Sequence, residues 1–231
     1  MKLLSRSGNT KLDKTNKENS DYIVAGLSLL PNIKICSHSK MAGCLEPCLK
    51  DSGLATVYPT INIARQKKTD FYLNNKDLFL KQLEKELLNL VKYCDKNDKK
   101  PACRLNVLSD ILYERTGIID KFPEILFFDY TKVAARLGNT PDNYKLIFSY
   151  SGTEQYRPSV KKALKHNNPI AVVFKNRLPG EFLGRPVING DKSDLINIFT
   201  GQNKIIGLKA KGPAKKSDSA FIVDPDLIIA A

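Results

Sequence analysis

Long apolar runs are missing from this sequence. No run approaches the roughly 20 residues that a transmembrane helix needs. The first 21 residues contain only Leu3 and Leu4 as an apolar pair, whereas a secretory signal needs an apolar stretch of about 7–15 residues. We therefore expect a protein that stays in the cytosol and has no membrane partner.

Histidine is also scarce, because the chain has only two histidines, His38 and His166. The sequence contains neither a G-x-S-x-G nucleophile elbow nor a P-loop. A hydrolase that depends on a histidine-activated nucleophile is therefore the least expected class. These absences leave open whether the chain is an enzyme of another class.

Acidic residues are outnumbered by basic ones. The 37 Lys and Arg residues against 24 Asp and Glu residues give a net charge of +13 at pH 7. Such an excess favours contact with polyanions, including nucleic acid, nucleotides and anionic surfaces. An equally weighted alternative is a solvated, lysine-rich surface with no partner.

The apolar pattern indicates one sizeable domain in a chain of 231 residues. Residues 1–20 are polar, lysine-rich and aperiodic, which predicts a flexible basic arm. Residues 21–231 form the predicted domain. Within it, residues 75–94 give the clearest helix, because Leu80, Leu83, Leu87, Leu90 and Cys94 are spaced by three and four residues.

About eight short apolar runs alternate with helical or loop segments. The runs are YIVAGLSLL, ACRLNVL, EILFFDY, YKLIFSY, PIAVVFK, RPVIN, KIIGLK and AFIVD. Alternating strands and helices are typical of βα units and a parallel sheet. We predict an α/β fold, a (β/α) TIM-like barrel that is complete or partial, with a cysteine-rich loop after the first strand. A doubly wound open sheet is the alternative.

Polar residues follow several of these strands. The carboxyl ends of parallel strands form the active face of a barrel, so we expect these side chains to surround a ligand. Although a polar residue after a strand is usually a turn former or a helix cap, their recurrence favours a site. The candidates are Arg104, Asn106, Asp110, Asp129, Lys132, Ser149, Lys175, Asn189, Asp191, Lys209 and Lys211.

Three of the five cysteines, Cys36, Cys44 and Cys48, lie within thirteen residues. An odd number of cysteines in a reducing compartment argues against a disulfide framework. Three close thiolates can hold three irons of a four-iron cluster, and we predict a [4Fe-4S] cluster on them. Zinc is the alternative, with His38 as a further ligand. The other interpretation is that these three cysteines are buried or surface thiols that bind no metal.

The remaining two cysteines are poor candidates for the fourth cluster ligand. Cys94 continues the apolar stripe of its helix, which predicts a buried packing thiol. Cys103 lies at the start of a strand, at the opposite end of the predicted barrel from the cysteine loop. The fourth position is therefore predicted to take another ligand.

Several blocks of this chain resemble the gene-product-88-like family of tailed-phage and prophage proteins. They are CSHSKMAGCLEPCLKDSG, IARQKKTDFY, RLNVLSDI, FFDYTK, RLPGEFLGRPVINGD and GLKAKG. The resemblance implies a phage protein in the host cytosol, with the family's loop cysteines matched by Cys36, Cys44 and Cys48. In arrangement alone, the chain is also similar to radical S-adenosylmethionine barrel enzymes, although its cysteine spacing departs from their C-x3-C-x2-C.

Two functional hypotheses follow. The first is a phage-encoded iron–sulfur protein that carries out redox or cluster-assisted chemistry on a small anionic ligand or with a redox partner. The second is a nucleic-acid-binding accessory protein in which a metal staples the loop. Its phosphate contacts would come from the basic arm of residues 1–20 and from residues 65–68 and 209–216, and its affinity would fall steeply with salt.

Overall fold

The computed structural model describes residues 1–7, 10–18 and 21–228. Its α/β architecture confirms the predicted mixture of a mainly parallel sheet and helices. The strands are β1 (Leu4–Ser5), β2 (Tyr22–Leu27), β3 (Lys100–Arg104), β4 (Leu126–Thr131), β5 (Tyr144–Ser149), β6 (Ile170–Phe174), β7 (Glu181–Phe182), β8 (Arg185–Asn189), β9 (Ile205–Lys209) and β10 (Ile222–Val223). Each of the eight predicted apolar runs overlaps one of these strands.

The helices lie mostly between strands. They are α1 (Thr10–Glu18), α2 (Pro59–Asn74), α3 (Lys76–Lys96), α4 (Arg157–Ala163), α5 (Asp194–Thr200) and α6 (Pro225–Ile228). Short 3₁₀ helices cover Leu49–Asp51, Gly53–Thr56, Tyr113–Thr116, Ala134–Arg136, Glu154–Tyr156 and Gly212–Lys216. None of the helices in the described residues is long and apolar enough to cross a membrane.

The sheet runs in the order β1-β2-β3-β4-β5-β6-β9-β8-β7, and β10 pairs with β6. Neighbours from β2 to β9 along this path are parallel, as are β8 and β9, whereas β1 and β7 pair antiparallel at the two edges. Within the described ranges no hydrogen-bonded strand pair connects β1 at one edge of the sheet with β7 at the other. The closed form of the barrel therefore stays a prediction.

Both faces of the sheet are covered, as parallel sheets require. Alternate residues of one strand enter different clusters, so Phe127 packs in the larger core and Phe128 in the smaller one. The larger core includes the buried stripe of α3, from Phe79 to Cys94. The smaller core takes Leu12 of α1 and Leu195 of α5.

The N-terminal segment packs against the domain instead of forming the predicted arm. Leu3, Leu4 and Leu12 are buried, and the backbone N–H groups of Leu3 and Leu4 donate to the Glu86 carboxylate at 2.7–3.0 Å. For its described residues the prediction of a flexible arm is therefore corrected. Residues 8–9 and 19–20 of that arm lie outside the described part of the chain.

Candidate functional site

One cavity of about 240 Å³ opens at the carboxyl ends of the parallel strands. It collects polar residues from the ends of β3, β4, β5 and β9 and from the loops that follow them. Eight of the residues predicted from the strand ends line it: Arg104, Asn106, Asp110, Lys132, Ser149, Asp191, Lys209 and Lys211. The parallel topology brings them together because it places the carboxyl ends of neighbouring strands at one edge.

Three predicted residues do not line this cavity. Asp129 is buried beneath it, where its carboxylate accepts hydrogen bonds from the Asn106 backbone N–H at 2.7 Å and the Tyr144 hydroxyl at 2.7 Å. The Asn189 side chain accepts from the Asp191 backbone N–H at 3.0 Å, as a turn former does. The Lys175 backbone N–H donates to Val223, which places Lys175 beside β10.

Burial changes the acidity of Asp129. Removal from water raises the pKa of this carboxyl to about 7, although Arg104, Tyr144 and Asn106 favour its charged form. Its Oδ1 lies 3.8 Å from Arg104 Nε. Asp129 therefore acts as a buried link between strands and has no direct access to a ligand in the cavity.

The loop of residues 36–48 forms one wall of the cavity, and Cys36, Cys44 and Cys48 all line it. Three consecutive carbonyls of this loop accept hydrogen bonds from hydroxyls elsewhere in the chain. Thr153 donates to Met41 at 2.8 Å, Ser151 to Ala42 at 2.7 Å, and Ser219 to Gly43 at 2.6 Å. We call these three hydrogen bonds the hydroxyl lock. They hold the loop against the ends of β5 and β10.

The prediction of an iron–sulfur protein is wrong, and so is its alternative with a metal-stapled loop. The described residues contain no group of three or more His, Cys, Asp or Glu side chains that could hold a metal ion. Cys36 Sγ and Cys44 Sγ instead donate to the carbonyls of Leu108 and Ser39, each at 3.7 Å.

The thiols of Cys36 and Cys44 are also poorly prepared to ionise, although metal ligation needs the thiolate. Burial raises the pKa of Cys36 to about 12, and it raises the pKa of Cys44 as well. His38, the further ligand predicted for zinc, lines the cavity with its Nδ1 lying 3.0 Å from Ser37 Oγ. Cys94 and Cys103 are fully buried packing thiols.

Lys132 follows β4 and is buried, with 8% of its surface exposed. Its Nζ donates to the carbonyls of Ser149 and Tyr150 at 3.1 and 3.0 Å. The nitrogen also lies 4.1 Å from the centre of the Phe221 ring. Burial lowers the pKa of this amine to about 8, although Cys44 and Asp110 favour its charged form.

Asp110 also lines the cavity, and three groups of the protein donate to its carboxylate. It accepts from the Thr131 hydroxyl at 2.9 Å, the Lys132 backbone N–H at 2.7 Å and Arg136 Nη1 at 2.6 Å. Arg136 also pairs with Glu114, at 2.8 and 2.9 Å. One guanidinium is thus shared between the carboxylates of Asp110 and Glu114, so it offsets the Asp110 charge only in part.

Arg104 lines the cavity, and its guanidinium lies over the face of an aromatic ring. Its guanidinium carbon is 4.7 Å from the centre of the Tyr130 ring, and its Nη1 donates to Asp194 at 2.9 Å. Tyr130 donates its own hydroxyl to the same carboxylate at 2.7 Å. Arg104 Nε is buried and has no hydrogen-bond partner among the described residues.

Two further lysines stand at the exposed rim. Lys211 Nζ lies 2.6 Å from Asp191 Oδ1, and the Lys209 backbone N–H donates to Asp191 Oδ2 at 3.1 Å. The Asp191 charge is thus already paired. The Lys209 ammonium forms no ion pair with any described residue at 4 Å or less.

Several residues of this site were not predicted from the sequence. Phe221, Val173 and Leu208 supply apolar wall, and Tyr130 supports Arg104. Arg136 lies outside the lining, yet it pairs with Asp110. Tyr130 directly follows the predicted Asp129, so its strand-end position was a usable signal. Arg136 gave no such signal, because it lies in a short 3₁₀ helix with no periodicity.

A family model described as gene product 88 matches residues 2–225. Neither the search of curated proteins nor that of solved structures gave a match.

Proposed function

Since this chain belongs to the gene product 88 family, and the family description names no activity, we propose a function from the cavity itself. The cavity binds a small anionic ligand that has an apolar part. The observation that carries this proposal is the buried Lys132 ammonium on the cavity wall. Its Nζ forms no ion pair with a carboxylate within the described ranges. A buried charge is costly unless it is paired, and an anionic ligand would pair it.

The balance of charge in the lining supports an anion. Four cationic side chains, Arg104, Lys132, Lys209 and Lys211, line the cavity with two carboxylates. Both carboxylates are paired within the protein, Asp110 with Arg136 and Asp191 with Lys211. Lys211 is used by Asp191 and Arg104 by Asp194. Lys132 and Lys209 are therefore the lining cations that form no ion pair with a described residue at 4 Å or less.

The size and the walls of the cavity limit the ligand. A volume of about 240 Å³ lies just below the roughly 300–1,000 Å³ of cavities that hold drug-sized ligands. This favours a small metabolite over a nucleotide. Leu108, Val173, Leu208 and Phe221 give the cavity apolar walls, so a ligand with a short hydrocarbon part would gain from burial.

The order of the strands suits a partial barrel. Strands β2 to β6 are neighbours in chain order, as in a barrel, whereas the path beyond β6 continues in reverse chain order as β9-β8-β7. We infer that the sheet is a partial barrel, with the ligand at the carboxyl ends of its strands as in enzymes of that class.

Nucleic acid stays a predicted partner. The basic helix of residues 65–68, however, supports this prediction less than its sequence suggested. Lys68 Nζ donates to the Leu3 carbonyl at 2.8 Å, and Arg65 Nη1 donates to the Lys50 carbonyl at 3.2 Å. Both cations are thus already used within the protein. The exposed lysines of residues 209–216 keep the prediction open.

Titration calorimetry with butyrate and butyramide tests the proposal, because these two molecules share a shape and differ in charge. We expect butyrate to bind and butyramide to bind about tenfold more weakly or less, since a hydrogen bond to a charged group contributes ~1.5–3 kcal/mol. Lys132→Met should weaken the binding of butyrate by a similar factor.

The matched control is Lys175→Met, because Lys175 also follows a strand but lies outside the cavity. Its binding of butyrate should equal that of the unchanged protein. Equal binding of butyrate and butyramide, or no loss with Lys132→Met, would contradict the proposed role of the charge.

A further inference from the structure

The surroundings of Lys132 Nζ suit a neutral amine as well as an ammonium. A neutral amine has two N–H donors and one lone pair, whereas an ammonium has three donors. Two carbonyls, those of Ser149 and Tyr150, accept from this nitrogen. With both N–H groups of a neutral amine satisfied in this way, its lone pair is left over for chemistry.

Two aromatic rings also lie close to the side chain, and Cys44 and Asp110 are the titratable groups that act on it. The Phe221 ring centre lies 4.1 Å from Nζ and the Tyr156 ring centre 5.5 Å from it. Asp110 contacts the Lys132 backbone N–H, but no ion pair joins its carboxylate to Nζ at 4 Å or less. An amine that is removed from water and has no carboxylate partner loses its proton more readily.

We propose that Lys132 condenses with the carbonyl group of a small oxo acid bound in the cavity and forms an imine. The ammonium first gives one proton to water. The nitrogen lone pair then attacks the carbonyl carbon, so that a C–N bond forms as the C=O π bond breaks. The nitrogen passes its two protons to the oxygen, which leaves as water while the C=N double bond forms. No electrons are gained or lost, so the step needs no oxidant or reductant.

This inference rests on the proposed function, because the acid group of the ligand must be held while its carbonyl reaches Nζ. Lys209 lines the same cavity as Lys132 and is the cation available for that acid group, because Arg104 is already paired with Asp194 at 2.9 Å. An oxo acid is therefore the ligand class in which one molecule has both an acid group to pair with the cation and a carbonyl group to react with the amine.

Reduction traps an imine as a stable amine, which gives the test. The full chain is incubated with 2-oxobutyrate and cyanoborohydride, and the modified lysine is identified by peptide mass spectrometry. We expect a single adduct on Lys132 with the mass of the ligand less one oxygen. Because the pKa of Lys132 is lowered to about 8, its labelling should exceed that of an exposed lysine by about tenfold or more.

Two variants and one ligand serve as controls. Lys132→Arg keeps a buried cation that cannot form the imine, and it should lose the adduct. Lys175→Met should keep it. The matched acid 2-hydroxybutyrate lacks the carbonyl, so it should bind without forming an adduct and should protect Lys132 when it is in excess.

The outcomes separate the two proposals. If 2-hydroxybutyrate and butyrate bind but no adduct forms on Lys132, the imine is refuted and the anion-binding cavity stands. Labelling that is spread over exposed lysines and is insensitive to butyrate would also refute the imine. If none of these acids binds, the proposed function fails, and the imine fails with it.

Discussion

Arg136 Nη1 lies 2.6 Å from Asp110 Oδ1, and both side chains are largely buried, with exposed fractions of 3% and 8%. Arg136 also pairs with Glu114 at 2.8 Å and donates to the Tyr144 hydroxyl at 2.9 Å. Tyr144 in turn donates to Asp129. One guanidinium thus connects the cavity wall at Asp110 to the buried carboxylate below it.

Removing this guanidinium should destabilise the fold strongly. Arg136→Met leaves Asp110 and Glu114 without their buried cation, and breaking a buried ion pair costs about 3–5 kcal/mol. We expect a loss of that order in the free energy of unfolding, measured by urea denaturation.

The control for Arg136→Met is Arg177→Met, which breaks the pair with Asp226 at the surface. Both of those side chains are about half exposed, so the loss should be at most about 1 kcal/mol. Equal losses in the two variants would show that the buried network does not stabilise the fold as described.

Asp129 should make the protein less stable as the pH rises through the neutral range. Its pKa is raised from 3.8 to about 7 in the folded chain, chiefly by burial. The folded state therefore holds a proton between these values that the unfolded state has lost. The stability from this proton is fully present below about pH 4 and is lost as the pH rises through about 7.

Urea denaturation at a series of pH values measures this contribution. Asp129→Asn removes the titrating group and should flatten the profile between about pH 4 and 7, whereas Asp142→Asn, at an exposed position, should leave the profile as it is. A profile that rises with pH in both the unchanged protein and Asp142→Asn, but not in Asp129→Asn, would have the wrong sign.

Gly43 tests the hydroxyl lock, with Gly53 as its matched control. Both glycines have φ +62°, where a residue with a Cβ is strained by about 1–2 kcal/mol. A Cβ on Gly43 would also lie 2.7 Å from Ser219 Oγ, whereas one on Gly53 would meet nothing within 4 Å.

We therefore expect Gly43→Ala to cost more than Gly53→Ala by about 1 kcal/mol, the value of one lost hydrogen bond. Thermal unfolding of both variants measures the difference. Because the locked loop forms a wall of the cavity, Gly43→Ala should also weaken the binding of butyrate. Identical effects of the two substitutions would argue against the lock.

The buried thiols should react slowly with iodoacetamide. The pKa of Cys36 is raised to about 12 and that of Cys94 to about 11, and the thiolate is the reactive form. At pH 7.5 we expect alkylation of both to be much slower in the folded protein than in urea, as followed by mass spectrometry. Rapid labelling of Cys36 in the folded chain would disprove its description as a desolvated thiol.

The sequence by itself determined the elements and the edge of the sheet at which the polar residues meet. The spacing of apolar residues and the local composition are properties of short segments. They therefore predict α3 and the eight apolar strands without knowledge of the fold. Parallel pairing then places the ends of neighbouring strands at one edge, which is why Arg104, Lys132 and Lys209 were predicted to meet and do line one cavity.

Only the tertiary structure decided what each polar side chain does there. The predicted iron–sulfur site depended on the spacing of Cys36, Cys44 and Cys48 along the chain, but the direction in which a thiol points depends on contacts with distant residues. Ser151 holds Ala42 from 109 positions away, and Arg104 pairs with Asp194 from 90 positions away. Such partners are chosen by packing across the whole domain, and no local pattern in the sequence specifies them.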